Sequence, residues 1–314
     1  MTRGWIHDLL GEPTFERLTT HLSGSQLSSV LLEVMQHRAA ARTPADVLAQ
    51  YQRDPFCRPA EVDLRTALDV DRHLLAAAAG FEAVELSPVA PLATCSSVAP
   101  TAQNRVLSAL RSTEVVADPT NVLALECAHR LRTAPTPVHL ATCQRVIRAQ
   151  PVPKLPGYAS HFRIFVLASG GIEAVDHAFT AATLEHHIRT MFAALDRLEQ
   201  HGYSFGERRV DLLATPARAA LADRIAEALA PATVERKPLE HPYYSAGLRY
   251  MLWVTAPDGT QLPLADGGAF DWLAKLTSNR RAVYIASGAG AQLIPLRFRR
   301  PSDGSGLSSR DSSH

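Results

Sequence analysis

The chain has 314 residues, 46% of them hydrophobic, with 32 Lys and Arg against 31 Asp and Glu. That length and apolar content build a core in one large domain or two smaller ones, and a net charge of +1 gives no basic footprint for an extended nucleic-acid surface. No apolar run approaches membrane-spanning length and no secretory leader opens the sequence; four cysteines (Cys57, Cys95, Cys127, Cys143) then fit a reducing cytosol, and a cytoplasmic location is expected.

Residues 1–60 read as a helical extension. Leu27, Val30, Leu31, Val34 and Met35 recur at helical spacing behind Ser25, taken as the cap. A second short helix has Thr43 as N-cap and Pro44 at its first position, with Val47, Leu48 and Tyr51 on one face. Packing, or support of a dimer, is the expected role. A third helix over about 64–79 ends at Gly80, a natural left-handed terminator, and a strand leads on to Pro88. A strand at 114–117 meets Asp118-Pro119-Thr120. The following helix, capped by Thr120 or Asn121, turns Val122, Leu125 and Ala128 inward.

Residues 138–148 are apolar and β-branched, which predicts a strand. Pro151, Pro153, Pro156 and Gly157 then force an exposed loop. A second strand begins at His161 and stops at Gly170-Gly171. An arginine ending one strand and a His/Arg/aromatic cluster opening the next suit a polyphosphate gripped by cations, with a purine stacked on an aromatic face. Residues 174–200 predict a long amphipathic helix through Leu184, Ile188, Met191, Phe192, Leu195 and Leu198, carrying a solvated His186-His187 pair. The strand 209–213 and helix 215–229 read as an inserted or peripheral unit. Residues 241–254 predict a strand, Pro257-Asp258-Gly259 a hairpin turn, 262–265 the return, and 283–294 a strand running into a glycine-rich helix start. The stretch 301–314 is rich in Ser, Asp and Gly and is expected to be disordered.

Five of these blocks, over roughly 60–295, resemble the class II aminoacyl-tRNA synthetases in that family's order. The helix, Gly80-Phe81, strand and Pro88 resemble motif 1, which builds a dimer interface. Arg148, the proline-rich loop and His161-x-x-x-Phe165 resemble motif 2, and 283–294 resembles motif 3. Tyr243, Tyr244, Gly247, Gly267, Gly268, Asp271 and Leu273 resemble paired motifs of histidyl-tRNA synthetase and its paralogue, the regulatory subunit of ATP phosphoribosyltransferase. The resemblance implies an α+β fold over 61–300, a central antiparallel sheet flanked by helices behind the N-terminal helical extension.

It also implies ATP and Mg2+ as cofactors. Arg148 would hold the α-phosphate, His161 the leaving phosphates, and Phe162 or Phe165 the adenine, with Gln150 standing at the place of the motif 2 acid. Tyr243, Tyr244, Asp266, Gly267 and Gly268 would border an amino-acid pocket, with Asp118, Thr120 or Glu126 near the amino group. Two departures stand out: Leu239 replaces the arginine before the tyrosines, and Gly290-Ala291-Gln292-Leu293 replaces the motif 3 Gly-Leu-Glu-Arg. The implied activity is ATP-dependent activation of an amino acid or related carboxylate as an adenylate, passed to a non-tRNA acceptor or carrier. The implied alternative is a non-catalytic subunit that binds an amino acid or nucleotide and regulates a partner enzyme. A homodimer is expected, and transfer to tRNA is not, because no anticodon-binding segment follows residue 295. Cys95, Cys127 and Cys143 lie beside these blocks without close ligand spacing, so no metal site is predicted.

Overall fold

The computed structural model describes residues 4–300, and the expected disordered tail lies outside the described residues. Four helices come first: α1 (Gly4–Leu10), α2 (Glu12–Glu16), α3 (Gly24–Ala40) and α4 (Pro44–Arg53). Helix α5 (Leu64–Ala77) precedes β1 (Glu82–Ala83) and a small sheet of β2 (Val89–Pro91), β3 (Ser108–Ala109) and β4 (Thr113–Val115). Then come α6 (Pro119–Thr133), β5 (Val138–Ile147), β6 (His161–Ile172), α7 (Ala178–Glu199), β7 (Arg208–Ala214), α8 (Ala219–Ala228), β8 (Val234–Pro238) and β9 (Leu248–Thr255). The described chain ends with β10 (Gln261–Phe270), α9 (Trp272–Thr277), β11 (Ala282–Ala289) and α10 (Leu293–Arg297).

Eight strands form the central sheet in the order β1-β5-β6-β11-β10-β9-β7-β8. Only the edge pairings β1/β5 and β7/β8 are parallel. This is the expected α+β architecture. The two-residue period of a strand sends alternate side chains to opposite faces. On one face Phe165, Leu167, Tyr250, Leu252 and Ile285 meet Leu74 of α5, Leu184, Ile188 and Leu198 of α7, and Ile225 of α8. On the other, Leu140, Val166, Ala168, Tyr284 and Ala286 meet Leu123, Ala124 and Cys127 of α6 and Trp272 of α9. The candidate cleft lies on this second face.

Several local expectations change. Strand β6 runs through Gly170-Gly171 to Ile172. A Cβ on Gly170 would lie 2.9 Å from Leu273 and one on Gly171 2.5 Å from the Phe179 ring, so these glycines admit packed side chains instead of ending the strand. Helix α5 stops at Ala77 with Ala78 as its C-cap, before Gly80. Ser23, not Ser25, caps α3, whereas Thr43 caps α4 as expected. The cap of α6 is Asp118, neither Thr120 nor Asn121, and its inward residues are Leu123, Ala124, Cys127 and Ala128. Residues 241–247 form turns, and β9 begins at Leu248. Strand β7 is no insertion: it pairs antiparallel with β9 inside the central sheet.

His187 also departs from expectation. Only His186 is exposed; His187 is fully buried. Its Nε2 lies 2.8 Å from Ser169 Oγ and its Nδ1 3.0 Å from Ser287 Oγ, so serines on β6 and β11 satisfy both ring nitrogens. Burial first, then the neighbouring His186 and His139, hold its pKa well below the ordinary value of 6.5. An unfolded chain protonates this imidazole as pH falls while the folded chain keeps it neutral. The unfolded state therefore binds more protons, and stability drops on acidification. We expect urea unfolding between about pH 7.5 and 5.5 to show a loss of at most ~1.4 kcal/mol per pH unit from this group. His187→Gln should flatten the slope, and an unchanged slope would assign it to other groups.

The β9–β10 register is equally exacting. A Cβ on Gly268 would sit 2.2 Å from the Leu248 carbonyl oxygen and 2.6 Å from the Tyr244 ring. Gly268→Ala is expected to cost ~3 kcal/mol through overpacking against backbone, read as a lowered denaturant midpoint. A neutral result would mean that the hairpin yields at this point.

Candidate functional site

Arg148 leaves the end of β5, where the proline-rich loop begins. Its backbone N–H donates to Ser160 O at 2.9 Å, closing the mouth of the β5–β6 hairpin. Its Nε donates to Ala117 O at 3.0 Å, and its Nη2 lies 3.5 Å from Asp118 Oδ2. The guanidinium sits over Phe162, 5.1 Å from the ring centroid. Asp118 in turn caps α6: its Oδ1 accepts from the Thr120 backbone N–H at 3.0 Å and from Thr120 Oγ1 at 2.8 Å. One aspartate thus satisfies a helix start and one face of an arginine.

A second ion pair faces the first. Asp266 Oδ2 on β10 accepts from Tyr244 Oη at 2.6 Å and from Arg249 Nη2 at 3.0 Å. Arg249 also lies over the Tyr244 ring, 4.9 Å from its centroid. Tyr243 stacks edge-on against Tyr244, Phe270 and Trp272. Burial, and next the charge of Asp118, push the Tyr243 phenol well above its usual range; burial and Asp266 do the same to Tyr244. Both phenols keep their protons, and Tyr244 donates its proton to Asp266.

These groups divide a two-part cleft. One compartment, about 400 Å³, is walled by Phe162, Ile164, Met251, Leu264, Leu293 and the loop Pro151–Pro153 with Tyr158. The other, about 300 Å³, is bordered by Cys95, Thr101, Arg105, Asn121, His241 and the two tyrosines. Arg148, Gln150, Arg249 and Asp266 line both. Burial pushes the Cys95 thiol up to about 11, so it borders the cleft as a neutral thiol. Its loop is fixed by buried Glu114, which accepts from the backbone N–H groups of Ala93 at 2.9 Å and Cys95 at 2.8 Å.

The structure therefore brings together Arg148, Gln150, Phe162, Asp118, Tyr243, Tyr244 and Asp266. Four other expected site residues stand elsewhere. His161 points to the opposite face, because alternation along β6 puts it with Phe165 and not with Phe162. Its Nδ1 lies 3.0 Å from Arg145 Nη1 and its Nε2 2.7 Å from the Arg58 carbonyl oxygen. Phe165 is fully buried in the core of that face and cannot stack on a ligand. Glu126 pairs with Arg130 at 2.7 Å, and Arg130 reaches on to Glu82. A Cβ on Gly267 would meet Ser287 across the far face, so of the two glycines only Gly268 turns toward Tyr244. Thr120 acts at one remove, bracing Asp118.

Arg249 is a cleft residue the sequence reading does not name. Leu248, Tyr250, Leu252 and Val254 alternate on the core face, which leaves Arg249 as a charge aimed at the other side; the alternation was the available signal. Near the C-terminal end, Arg297 pairs with Asp258 at 3.2 Å and Arg299 bridges to Tyr203, both away from the cleft. As for magnesium, the cleft carboxylates, Asp118 and Asp266, are both engaged by arginines, and no three metal-ligating side chains converge among the described residues. This donor set does not fit Mg2+.

Solved structures share this architecture. An ATP phosphoribosyltransferase regulatory subunit/histidyl-tRNA synthetase from Bacillus halodurans superposes with a TM-score of 0.57 at 16% identity, over 75% of this chain and 80% of that one. The chain has the class II synthetase-like fold. A histidine–tRNA ligase subunit from Alicyclobacillus acidocaldarius gives 0.54 at 14% identity, over 75% of this chain and 95% of that one. Apo histidyl-tRNA synthetase from S. aureus gives 0.53 at 12%, over 73% and 63%. No family model and no curated protein matches the sequence. Within this fold Asp118 ties the helix start to the arginine. Asp118→Ala is expected to lower stability by ~1 kcal/mol through loss of the cap, seen as a shifted urea midpoint, and a change near zero would deny the cap its role.

Proposed function

We propose that the cleft binds a small amino acid or related carboxylate as a zwitterion, and that the chain is a non-catalytic subunit regulating a partner enzyme. The role is of the kind named for the Bacillus halodurans neighbour. The observation that carries this is the charge balance of the junction. Two guanidinium groups, Arg148 and Arg249, face two carboxylates, Asp118 and Asp266, already paired. A zwitterion offers one charge of each sign and leaves that balance intact, its carboxylate meeting an arginine and its ammonium an aspartate. A triphosphate would bring several uncompensated negative charges. Leu293 stands where the resemblance places an arginine for them, and His161 is on the other face of the sheet.

A second reading has its own support: the compartments share Arg148 and Gln150, so a carboxylate in one would meet an α-phosphate in the other. In that case a carboxylate oxygen attacks phosphorus and pyrophosphate leaves with the electron pair, Arg148 stabilising the charge that develops. Each missing cation costs on the order of 3 kcal/mol of transition-state stabilisation.

A panel of amino acids in thermal-shift assays tests the two together. The binding reading predicts one class that raises the melting temperature, by the equivalent of about 2.7 kcal/mol at a hundred times its Kd. Arg148→Ala and Asp266→Asn should abolish the shift, with no amino-acid-dependent pyrophosphate exchange. Exchange that disappears in Arg148→Ala would favour adenylate formation, and no shift from any amino acid would sink the zwitterion site.

A further inference from the structure

Leu293 closes the apolar compartment of the cleft. A Cβ on Gly290 would lie 3.0 Å from Leu293 Cδ1, and one on Gly157 2.8 Å from Leu293 Cδ2. The leucine therefore fills space left open by a glycine after β11 and a glycine of the proline-rich loop, and packs the loop against the sheet. Ile164 does the same at Gly288, where an added Cβ would meet its Cδ1 at 3.1 Å. Each arginine bordering this compartment is already paired: Arg148 with Asp118, Arg249 with Asp266, and Arg163 with Asp71 on the other face of the sheet. Gln292 Oε1 lies 3.4 Å from Arg145 Nη1, and Arg145 is the register partner of Arg163 on that same far face. The remaining uncharged polar side chains, Gln150 and Tyr158, sit on the exposed loop. A group entering here meets methyls, a thioether and ring edges, with no unpaired cation for a phosphate.

We infer that the ligand is an amino acid or related carboxylate with a long or branched apolar side chain, and that this side chain occupies the apolar compartment. The inference rests on the zwitterion reading of the junction and adds the side chain to it. Arg148, Arg249 and Asp266 line both compartments, so a zwitterion anchored on them can extend either way. The route to the apolar side passes Met251. It is the register partner of Asp266 on β9, so its side chain stands beside that carboxylate on the same face. The other compartment is bordered by Arg105, Asn121 and His241. An apolar group there would strip water from polar groups without bonding them. The apolar compartment, about 400 Å³, has the size of a small-molecule site, and each methylene buried in it gives about a fourfold gain in affinity.

Calorimetry of the full chain with a series of straight-chain amino acids, from alanine through norvaline and norleucine to longer homologues, reads the side chain directly. The dissociation constant is expected to fall about fourfold per added methylene until the compartment is full. Met251 is half-buried. Met251→Trp should reverse the trend, weakening norleucine more than alanine, and Met251→Ala, which adds no bulk to the fold, should move the optimum to a longer chain. Equal affinity along the series, or glutamate or glutamine bound more tightly than norleucine, overturns the inference and leaves the zwitterion site standing. Adenosine binding that Met251→Trp abolishes gives the compartment to a purine and overturns it as well. No binding by any amino acid removes the zwitterion site, and this inference with it.

Discussion

The structure depends on where one guanidinium is held. Arg148 ends a ten-residue antiparallel pairing, β5 against β6, and is stopped there by three different chemistries: a carbonyl, a carboxylate and an aromatic face. Two of these, Ala117 and Asp118, belong to the turn before α6; the third is on β6 itself. The arginine therefore ties a strand hairpin to a helix N-terminus. Asp118 bears both loads, because the same carboxylate caps α6. Charge-assisted bonds of this kind are directional and strengthen where water is partly excluded, so the position of the cation is fixed more firmly than its partial exposure suggests.

The opposite wall repeats the design in other residues. Asp266 is the hub, Tyr244 and Arg249 its donors, and the aromatic cluster of Tyr243, Phe270, Trp272 and Tyr284 its backing. Tyr284 reaches across to donate to the Thr120 carbonyl oxygen at 2.6 Å, so the two walls are joined beneath the cleft by a buried hydrogen bond. A cleft with two closed ion pairs at rest is stable when empty, since neither charge is stranded. Any ligand entering there would have to replace these contacts with equivalent ones, which would select for matching charges at matching separation and not for charge alone.

Much of this was legible in the sequence. The order of strands and helices, the proline-rich loop and Arg148 came from local patterns, β-branched runs and prolines, whereas the tyrosine pair came only from the resemblance to histidyl-tRNA synthetase motifs. Failures fell where the pattern had to be converted into a side of a sheet. His161 and Phe162 are neighbours in sequence and opposites in space, and the motif reading took both into the site. The same conversion misplaced Gly267 against Gly268 and hid Arg249. Alternation decides these cases without ambiguity once one core residue is assigned to a face. His187 was a different failure: helical spacing puts it beside Thr183 and Met191 on the inner side of α7, but only the serines of two strands make its burial tolerable. Nothing local announces partners 18 and 100 residues away.

The misplaced histidine explains how the N-terminal segment meets the body of the protein. His161 bonds to the carbonyl of Arg58, and residues Arg53 to Glu61 border a cavity whose far side is the loop carrying Val152, Pro153 and Tyr158. The segment leading out of α4 thus lies against the back of the loop that walls the apolar compartment. A residue that the motif assigns to phosphate binding is used here to anchor a chain segment that the motif does not include. The strand still requires a polar residue able to bond at its start, so His161 keeps its place in the pattern while its partner is the backbone of Arg58. Alternation fixes which face of the sheet each residue of β6 meets, and it turns His161 away from the cleft toward the chain segment that follows α4.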